Sequence, residues 1–281
     1  MGKTKIDWCD EVSNWFTGCS GSCPWCYARR MAKRLAHVTG TVYERVSFLT
    51  SSSPYSDGDP FFPAVHLDVR SREYNRLLRI KRPVRVFLGS MGDINACRLW
   101  EKAATFGEDG SLLPSEQWWT AEKLQNEVAI WCTALETHGK KFLILTKAPG
   151  YYLPEVRWPG NVFLGVSVTC NDDAWRVERL LARDRSTCFW NSGIKLWASV
   201  EPLVDPDFDP DCLAGLDWVV VGLRTGAGAA RPFLDEWTAL MTASARVVAW
   251  CKKHKVPVFV KNSITKYEKY CGIDLPREIL E

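Results

Sequence analysis

The sequence contains no apolar run of about 18 residues, the length that a helix needs to cross a membrane. Its start, MGKTKIDWCDE, lacks the apolar core of a secretory signal peptide. The start also fails the myristoylation pattern, because Ile6 stands where a serine or threonine is needed. These absences predict a cytoplasmic protein with no membrane partner.

The sequence also has little net charge, +3, which neither requires nor excludes a nucleic-acid partner. Its basic residues are nevertheless clustered. Seven cations lie between Arg70 and Arg85 with only Glu73 opposing them, and four more lie between Arg29 and Arg34. Each run suits either a solvated helix face or a surface that contacts phosphate. Among the fourteen tryptophans, an exposed one could stack on a base.

Short apolar runs alternate with helical patterns along the chain. Near-continuous apolar runs are typical of strands buried on both faces of a parallel sheet. The predicted strands cover 84–90, 141–147, 161–169, 194–202, 217–226 and 256–262, and the predicted helices lie within 70–79, 114–139, 172–181 and 237–251.

This alternation predicts an α/β fold, as a parallel barrel or an open doubly wound sheet, and six or seven strands suit a partial barrel. The two longest predicted loops, 50–63 and 106–116, do not separate halves of different composition. We therefore expect a single domain over 1–281.

Polar residues follow every predicted strand. In parallel α/β folds the chemistry collects at the carboxyl ends of the strands, so repeated polar strand ends predict a lined pocket. One such residue alone would be ordinary turn chemistry. The strand-end residues are Ser90, Asp93, Thr146, Lys147, Ser167, Thr169, Cys170, Glu201, Arg224, Thr225, Lys261 and Asn262.

Three cysteines crowd the stretch FTGCSGSCPWCYARRMAKRLA, where Cys19, Cys23 and Cys26 follow the pattern C-x3-C-x2-C. A structural zinc site needs four ligands, usually from two paired knuckles, and the sequence has no second C-x2-C. Cys9 remains a distant candidate for a fourth ligand, so zinc stays open. On a [4Fe–4S] cluster, three thiolates leave one iron without a protein ligand and able to bind a small molecule.

The cysteine loop, with the aromatic Trp25 before Cys26, resembles the cluster loop of the radical S-adenosylmethionine (radical SAM) superfamily. Further blocks resemble a phage-associated branch of it that is distantly related to spore photoproduct lyase, and together they cover nearly the whole chain. Two departures, at Thr169–Cys170 and Leu223–Arg224, fall at strand ends and indicate a different substrate. The blocks are GCSGSCPWCYARRMAKR, RPVRVFLGSMGDI, FLILTKAP, NVFLGVSVT, SVEPL, DWVVVGLRTGAGAARP and VPVFVKN.

The resemblance implies a partial (β/α)6 TIM-like barrel of parallel strands whose Cys19, Cys23 and Cys26 hold a [4Fe–4S] cluster that binds SAM. Asp93 would accept from the SAM ammonium, or alternatively cap a helix. Glu201 would flank the adenosine, or alternatively end its strand in a turn. The implied SAM-binding residues are Trp25, Ser90, Gly92, Asp93, Ser167, Glu201 and Gly222.

The chemistry that the resemblance implies is homolytic cleavage of SAM by an electron from an external donor such as flavodoxin or ferredoxin. The 5′-deoxyadenosyl radical then abstracts a hydrogen atom from the substrate. Cys170 would return a hydrogen atom to the product radical, or simply pack. Lys147, Lys261 and Arg224 would bind a substrate carboxylate or phosphate.

The basic runs, the tryptophans and the resemblance to a DNA-repair lyase favour DNA as the partner. The predicted substrate is a modified thymine-type base in phage or host DNA, and the predicted reaction is an isomerisation or a bond cleavage. Two alternatives stay open: a radical SAM enzyme acting on a small metabolite or peptide, and a zinc-stabilised module that binds nucleic acid.

Overall fold

The computed structural model describes residues 4–21, 23–24, 26–51, 59–95, 102–186, 194–224, 234–265 and 276–278. Within those ranges no helix combines the length and the apolar character needed to cross a bilayer. The strands are β1 (Glu11–Ser13), β2 (Phe16–Thr17), β3 (Ala64–His66), β4 (Val84–Leu88), β5 (Lys102–Phe106), β6 (Trp119–Thr120), β7 (Lys140–Thr146), β8 (Val162–Val168), β9 (Lys195–Val200), β10 (Trp218–Val221) and β11 (Val258–Val260). The α-helices are α1 (Tyr27–Leu35), α2 (Val42–Ser51), α3 (Leu67–Arg79), α4 (Ala121–Ala134), α5 (Trp175–Ser186), α6 (Leu234–His254) and α7 (Asn262–Thr265).

The main sheet is a curled, parallel half-barrel of seven strands in the order β1-β4-β7-β8-β9-β10-β11. All six strands predicted from the apolar runs belong to it, and β1 adds a seventh at one edge. The four predicted helices are also present, as α3, α4, α5 and α6. The α/β prediction is therefore confirmed at the level of a parallel half-barrel.

The connections differ from a regular (β/α)6 pattern, because two of the six crossovers contain only short 3-10 segments. These are the links from β7 to β8 and from β9 to β10. Each link carries a proline every four or five residues, and proline removes the helical hydrogen bond and clashes with the preceding turn. The prolines are Pro149, Pro154 and Pro159 in the first link and Pro202, Pro206 and Pro210 in the second.

The inner face of the half-barrel has an aromatic floor. Trp197 and Trp218 lie opposite each other on β9 and β10. Trp8, from the segment before β1, packs between them and Phe87, with ring centroids 5.2 Å from Trp197 and 4.7 Å from Phe87. Gly165 makes room for this packing, because a Cβ there would lie 2.4 Å from the Trp197 ring. Nothing larger than glycine fits at that height of β8 without moving the indole.

A second sheet, with strand order β2-β3-β5-β6, was not predicted. Its strands are two to five residues long, too short for a hydrophobic period to show in the sequence. The sheet holds the chain just before the cysteine loop, because Phe16 and Thr17 pair with Val65 and Ala64. It therefore sets where that loop starts.

His66 is fully buried in the second sheet. Its Nε2 atom lies 3.0 Å from Thr17 Oγ1, its ring stacks on Phe106, and its Nδ1 atom has no partner among the described residues. Burial lowers the pKa of His66 to about 3, with a smaller contribution from the charge of Arg45. The imidazole is therefore neutral in the folded protein at neutral pH.

We predict that His66 makes the protein sensitive to mild acid. Between its folded pKa of about 3 and its ordinary value of 6.5, the unfolded chain binds a proton that the folded chain does not, so stability falls as pH falls through this window. From pH 7 to pH 5 the loss from this group is about 2 kcal/mol. Urea unfolding at the two pH values should show a smaller loss in His66→Gln than in the wild type.

The exposed His138 provides the control. His138→Gln should keep the pH dependence of the wild type, and an identical pH dependence in His66→Gln would contradict the assignment.

Candidate functional site

A cavity of about 390 Å³ opens at the carboxyl ends of the half-barrel strands. The structure brings to it most of the residues that the sequence analysis selected. Trp25 lies outside the described residues, and Cys170 and Gly222 are not in the cavity wall. The selected residues that line the cavity are Cys19, Cys23, Cys26, Ser90, Gly92, Asp93, Thr146, Lys147, Ser167, Glu201, Arg224 and Lys261.

The cysteine loop begins at Gly18, which has a φ of +86°. A Cβ at this position would lie 2.2 Å from the carbonyl oxygen of Phe62, so only glycine allows the two segments to approach this closely. Backbone bonds join Gly18 N to Met91 O and Asp93 N to Gly18 O, at 3.0 and 3.1 Å. The loop is thereby fixed to the turn that follows β4.

The three thiols are free and half-buried, and all three line the cavity. The Cys26 sulfur caps α1 by accepting from the backbone N–H of Arg29 at 3.3 Å, and the Cys19 sulfur accepts from Gly21 N at 3.2 Å. Burial raises the pKa of the Cys19 thiol to about 12, and the nearby Asp93 adds to the effect. A metal that binds Cys19 must therefore displace its proton.

The three thiols suit an iron–sulfur cluster in donor type, because thiolates are the usual ligands of its irons. In the described ranges, no three His, Cys, Asp or Glu side chains gather around the position of a single ion. A four-iron cube is bound differently, because each thiolate attaches to its own iron and the thiols must stand apart around the cube. The three cysteines of the loop offer one thiol each from the wall of a single cavity.

Asp93 is held by the protein itself. Its Oδ1 atom accepts from Thr146 Oγ1 at 2.6 Å and from Asn95 N at 2.9 Å, and its Oδ2 atom accepts from Lys147 N at 3.0 Å. Burial raises the pKa of its carboxyl, and these hydrogen bonds oppose the rise. A carboxylate offers about four acceptor positions, so one position on Oδ2 remains for a ligand. Asp93 thus joins the loops after β4 and β7 while still facing the cavity.

Two serine hydroxyls lie next to each other on the cavity wall. Ser167 and Ser199 are register partners on β8 and β9, with 4% and 2% of their surface exposed. Neither hydroxyl bonds to any residue that the structure describes. Ser167 is among the site residues predicted from the sequence, and Ser199 is not. Strand alternation could have found it, because Ser199 lies two residues from both Trp197 and Glu201 and so shares their face.

Glu201 and Lys261 form an ion pair across the cavity wall, with Nζ and Oε1 2.5 Å apart. Glu201 also begins the turn after β9, as its turn alternative predicts, and its place beside the adenosine stays a prediction. Gly222 lies behind this pair: a Cβ there would come within 3.0 Å of Lys261 Cδ. Its place in the structure is to make room for the lysine side chain.

Three other predicted site residues line the cavity but differ in their hydrogen bonds, ion pairs and exposure. The Ser90 hydroxyl is already bonded to Asn14 Oδ1 at 3.1 Å, while its carbonyl accepts from the Tyr27 hydroxyl at 2.5 Å. Lys147 faces the cavity and makes no side-chain ion pair within the described ranges. Arg224 lies exposed at the rim.

Cys170 is not among the residues that line the cavity. The chain leaves β8 at Val168, and Thr169 bonds to Asp173 through its N–H at 2.8 Å and its hydroxyl at 2.7 Å. This turn directs Cys170 into the cap of a 3-10 segment instead of the cavity. The packing alternative fits this position.

The basic run from Arg70 to Arg85 is largely neutralised in the structure. Most of its acidic partners come from segments far away in sequence, which is why the run looked uncompensated in the sequence. Three of its arginines, Arg70, Arg76 and Arg85, join α3 and β4 to neighbouring segments, whereas Arg72 pairs with Asp68 within α3. The ion pairs are Arg70–Glu127, Arg72–Asp68, Arg76–Glu11, Arg76–Glu73 and Arg85–Asp10, with separations from 2.7 to 3.3 Å.

We predict that Asp93→Asn destabilises the apoprotein. An amide has one oxygen where the carboxylate has two, so at least one of the three donors now satisfied loses its acceptor. An unsatisfied buried donor costs about 1–3 kcal/mol, to be measured by urea unfolding without metal. The exposed Asp172 is the matched control, and Asp172→Asn should leave the stability unchanged. Equal stabilities for the two variants would contradict the bonding described for Asp93.

Comparison with known proteins identifies a family. Residues 3–104 and 120–269 match the family described as protein of unknown function, DUF5131. No curated protein matches the chain, and no solved structure matches it. Because the two matched ranges cover most of its 281 residues, the chain belongs to the DUF5131 family.

Proposed function

We propose that this protein is a radical SAM enzyme: it binds a [4Fe–4S] cluster on Cys19, Cys23 and Cys26 and uses it to cleave SAM reductively. One observation carries the proposal. All three thiols of a single loop open into the cavity that collects the polar carboxyl ends of a parallel half-barrel. The finer description of the fold, a partial TIM-like barrel of the radical SAM type, belongs to the same proposal.

When bound, the cluster and SAM would supply one-electron cleavage of the sulfonium and abstraction of a hydrogen atom from the substrate. The chain's part is to bind, orient and exclude water. The remaining acceptor position on Asp93 would receive the SAM ammonium, a charge-assisted contact. The Ser167 and Ser199 hydroxyls would bond to the ribose, and the Glu201–Lys261 pair lies on the same wall.

The aromatic floor gives the cavity its chemical character. Trp8 and Phe87 line its closed end, so a ligand enters from the side of the cysteine loop and the strand ends. Apolar walls exclude water and competing hydrogen donors from the reacting atoms. Lys147 and Arg224 would bind a carboxylate or phosphate of the substrate at the open end.

For the substrate we propose a modified thymine-type base in DNA, isomerised or cleaved at its substituent, with an external flavodoxin-like or ferredoxin-like electron donor. The basic residues that support a DNA substrate are those of α1, not those of α3. This helix starts at the cavity, is capped by Cys26 and contains no acidic residue. Its Arg30, Lys33 and Arg34 are exposed, so a polyanion bound there would lie beside the cavity mouth.

We predict that Cys19→Ala, Cys23→Ala and Cys26→Ala each abolish both iron retention and deoxyadenosine formation. Each substitution removes one of only three protein ligands. The measurements are iron per chain after anaerobic reconstitution, and deoxyadenosine by chromatography after adding reductant and SAM. Cys251→Ala, a buried thiol outside the cavity, is the control and should retain both. A full cluster in Cys19→Ala would refute the ligand assignment.

We also predict that binding to duplex DNA weakens with salt, and that α1 carries part of this dependence. Each lost phosphate contact lowers the log–log salt slope by about 0.9, so Lys33→Gln with Arg34→Gln should lower it by up to about 2. Fluorescence anisotropy between about 50 and 200 mM salt measures the slope.

The control is Lys252→Gln with Lys253→Gln, two exposed cations in the last turn of α6. That turn precedes β11 and so lies at the opposite end of the sheet from the cavity. Equal slopes in the two double variants would place DNA elsewhere. An absence of DNA binding in the wild type would favour a small-molecule substrate.

A further inference from the structure

Arg29 contacts both ends of the cysteine loop. Its side chain turns back from the first turn of α1, and Nη2 donates to the carbonyl oxygens of Cys19 and Gly21 at 3.0 and 3.2 Å. Its backbone N–H donates to the Cys26 sulfur at 3.3 Å. One residue therefore ties the first and third cysteines of the loop to a single rigid helix.

The guanidinium is itself fixed from a separate segment. Nη1 forms an ion pair with Asp59, and the group lies over the ring of Phe61, 5.1 Å from its centroid. The carbonyl oxygen of Phe61 in turn accepts from Cys19 N at 3.0 Å. Cys19 is thus held at its N–H by the 59–62 segment and at its carbonyl by Arg29.

The arrangement depends on properties that only arginine has. A planar fork presents donors on two nitrogens in fixed directions, so one nitrogen can bond to the loop while the other pairs with Asp59. Its flat face also stacks on Phe61. Lysine would keep the charge but offers a single ammonium that cannot reach all of these partners at once.

We propose that Arg29 is a positioning residue that holds the cysteine loop in its ligand-binding shape before any cluster binds, and that its charge then favours the more negative, reduced cluster. The effect of the charge on the cluster rests on the proposed function, whereas the positioning role does not. From the sequence, the basic stretch that contains Arg29 suits a solvated helix face or a phosphate surface. Its side chain instead serves the loop.

The test uses full-length apoprotein first. We expect amide hydrogen exchange across 18–26 to become at least about tenfold faster in Arg29→Gln, because the lost bonds lower the cost of local opening. Arg29→Lys should show a smaller increase. Lys33→Gln, an exposed residue one turn further along α1, should match the wild type.

Exchange in α4 separates a local effect from general unfolding. An increase confined to the loop supports the proposal, whereas an equal increase in α4, or none in the loop, overturns it. Arg29→Lys keeps the test valid if Arg29→Gln does not fold.

The second readout uses reconstituted protein. Arg29→Gln should lose iron to a chelator at least about tenfold faster than wild type and shift the midpoint potential to a more negative value, since a cation beside the cluster is gone. Arg29→Lys should lose iron faster but keep the potential near that of the wild type, and equal potentials in all three proteins would overturn the charge role. If wild-type protein binds no cluster while loop exchange still responds to Arg29→Gln, the proposed function fails and the positioning role stands.

Discussion

In-register pairing of the parallel strands is the constraint on which the rest of this structure depends. It places Trp197 beside Trp218 and Gly165, and two residues later it places Ser199 beside Ser167 and Val220. A step of two residues along the strands therefore changes the inner face from an aromatic floor to a polar wall. Because side chains alternate across a strand, a slip of one residue would remove both layers from the inner face at once.

The cysteine loop depends on this register through few contacts. Asp93 ends the turn after β4 and bonds across to Thr146 and Lys147 at the end of β7, so the two strands must finish at the same height. The same turn holds Gly18, the residue before Cys19. The position of the thiols is thus an outcome of sheet geometry, passed on through Asp93 and a glycine that no other residue can replace without strain.

The sequence was sufficient to predict the strands, which have long apolar runs, and the cysteine loop, which has an unusual spacing. Six apolar runs gave six strands, and C-x3-C-x2-C marked the loop that opens into the cavity. It was insufficient wherever a partner is distant in sequence. Glu127 neutralises Arg70 from 57 residues away, and Asp59 fixes Arg29 from 30 residues away. Local patterns carry no information about such pairs, and a two-residue strand such as β2 has no period to detect.

The charged side chains of the cavity wall also depend on partners that are distant in sequence, and they affect which ligands the cavity can bind. Of the acidic groups in its wall, Asp93 is largely bonded to the protein and Glu201 is paired with Lys261. Lys147 adds positive charge to the cavity wall, and Arg29 lies against the backbone of the cysteine loop. A buried anion is stable only when fixed cations and donors replace its water. A ligand carboxylate would find such groups in the Lys147 ammonium and in the hydroxyls of Ser167 and Ser199 on the cavity wall.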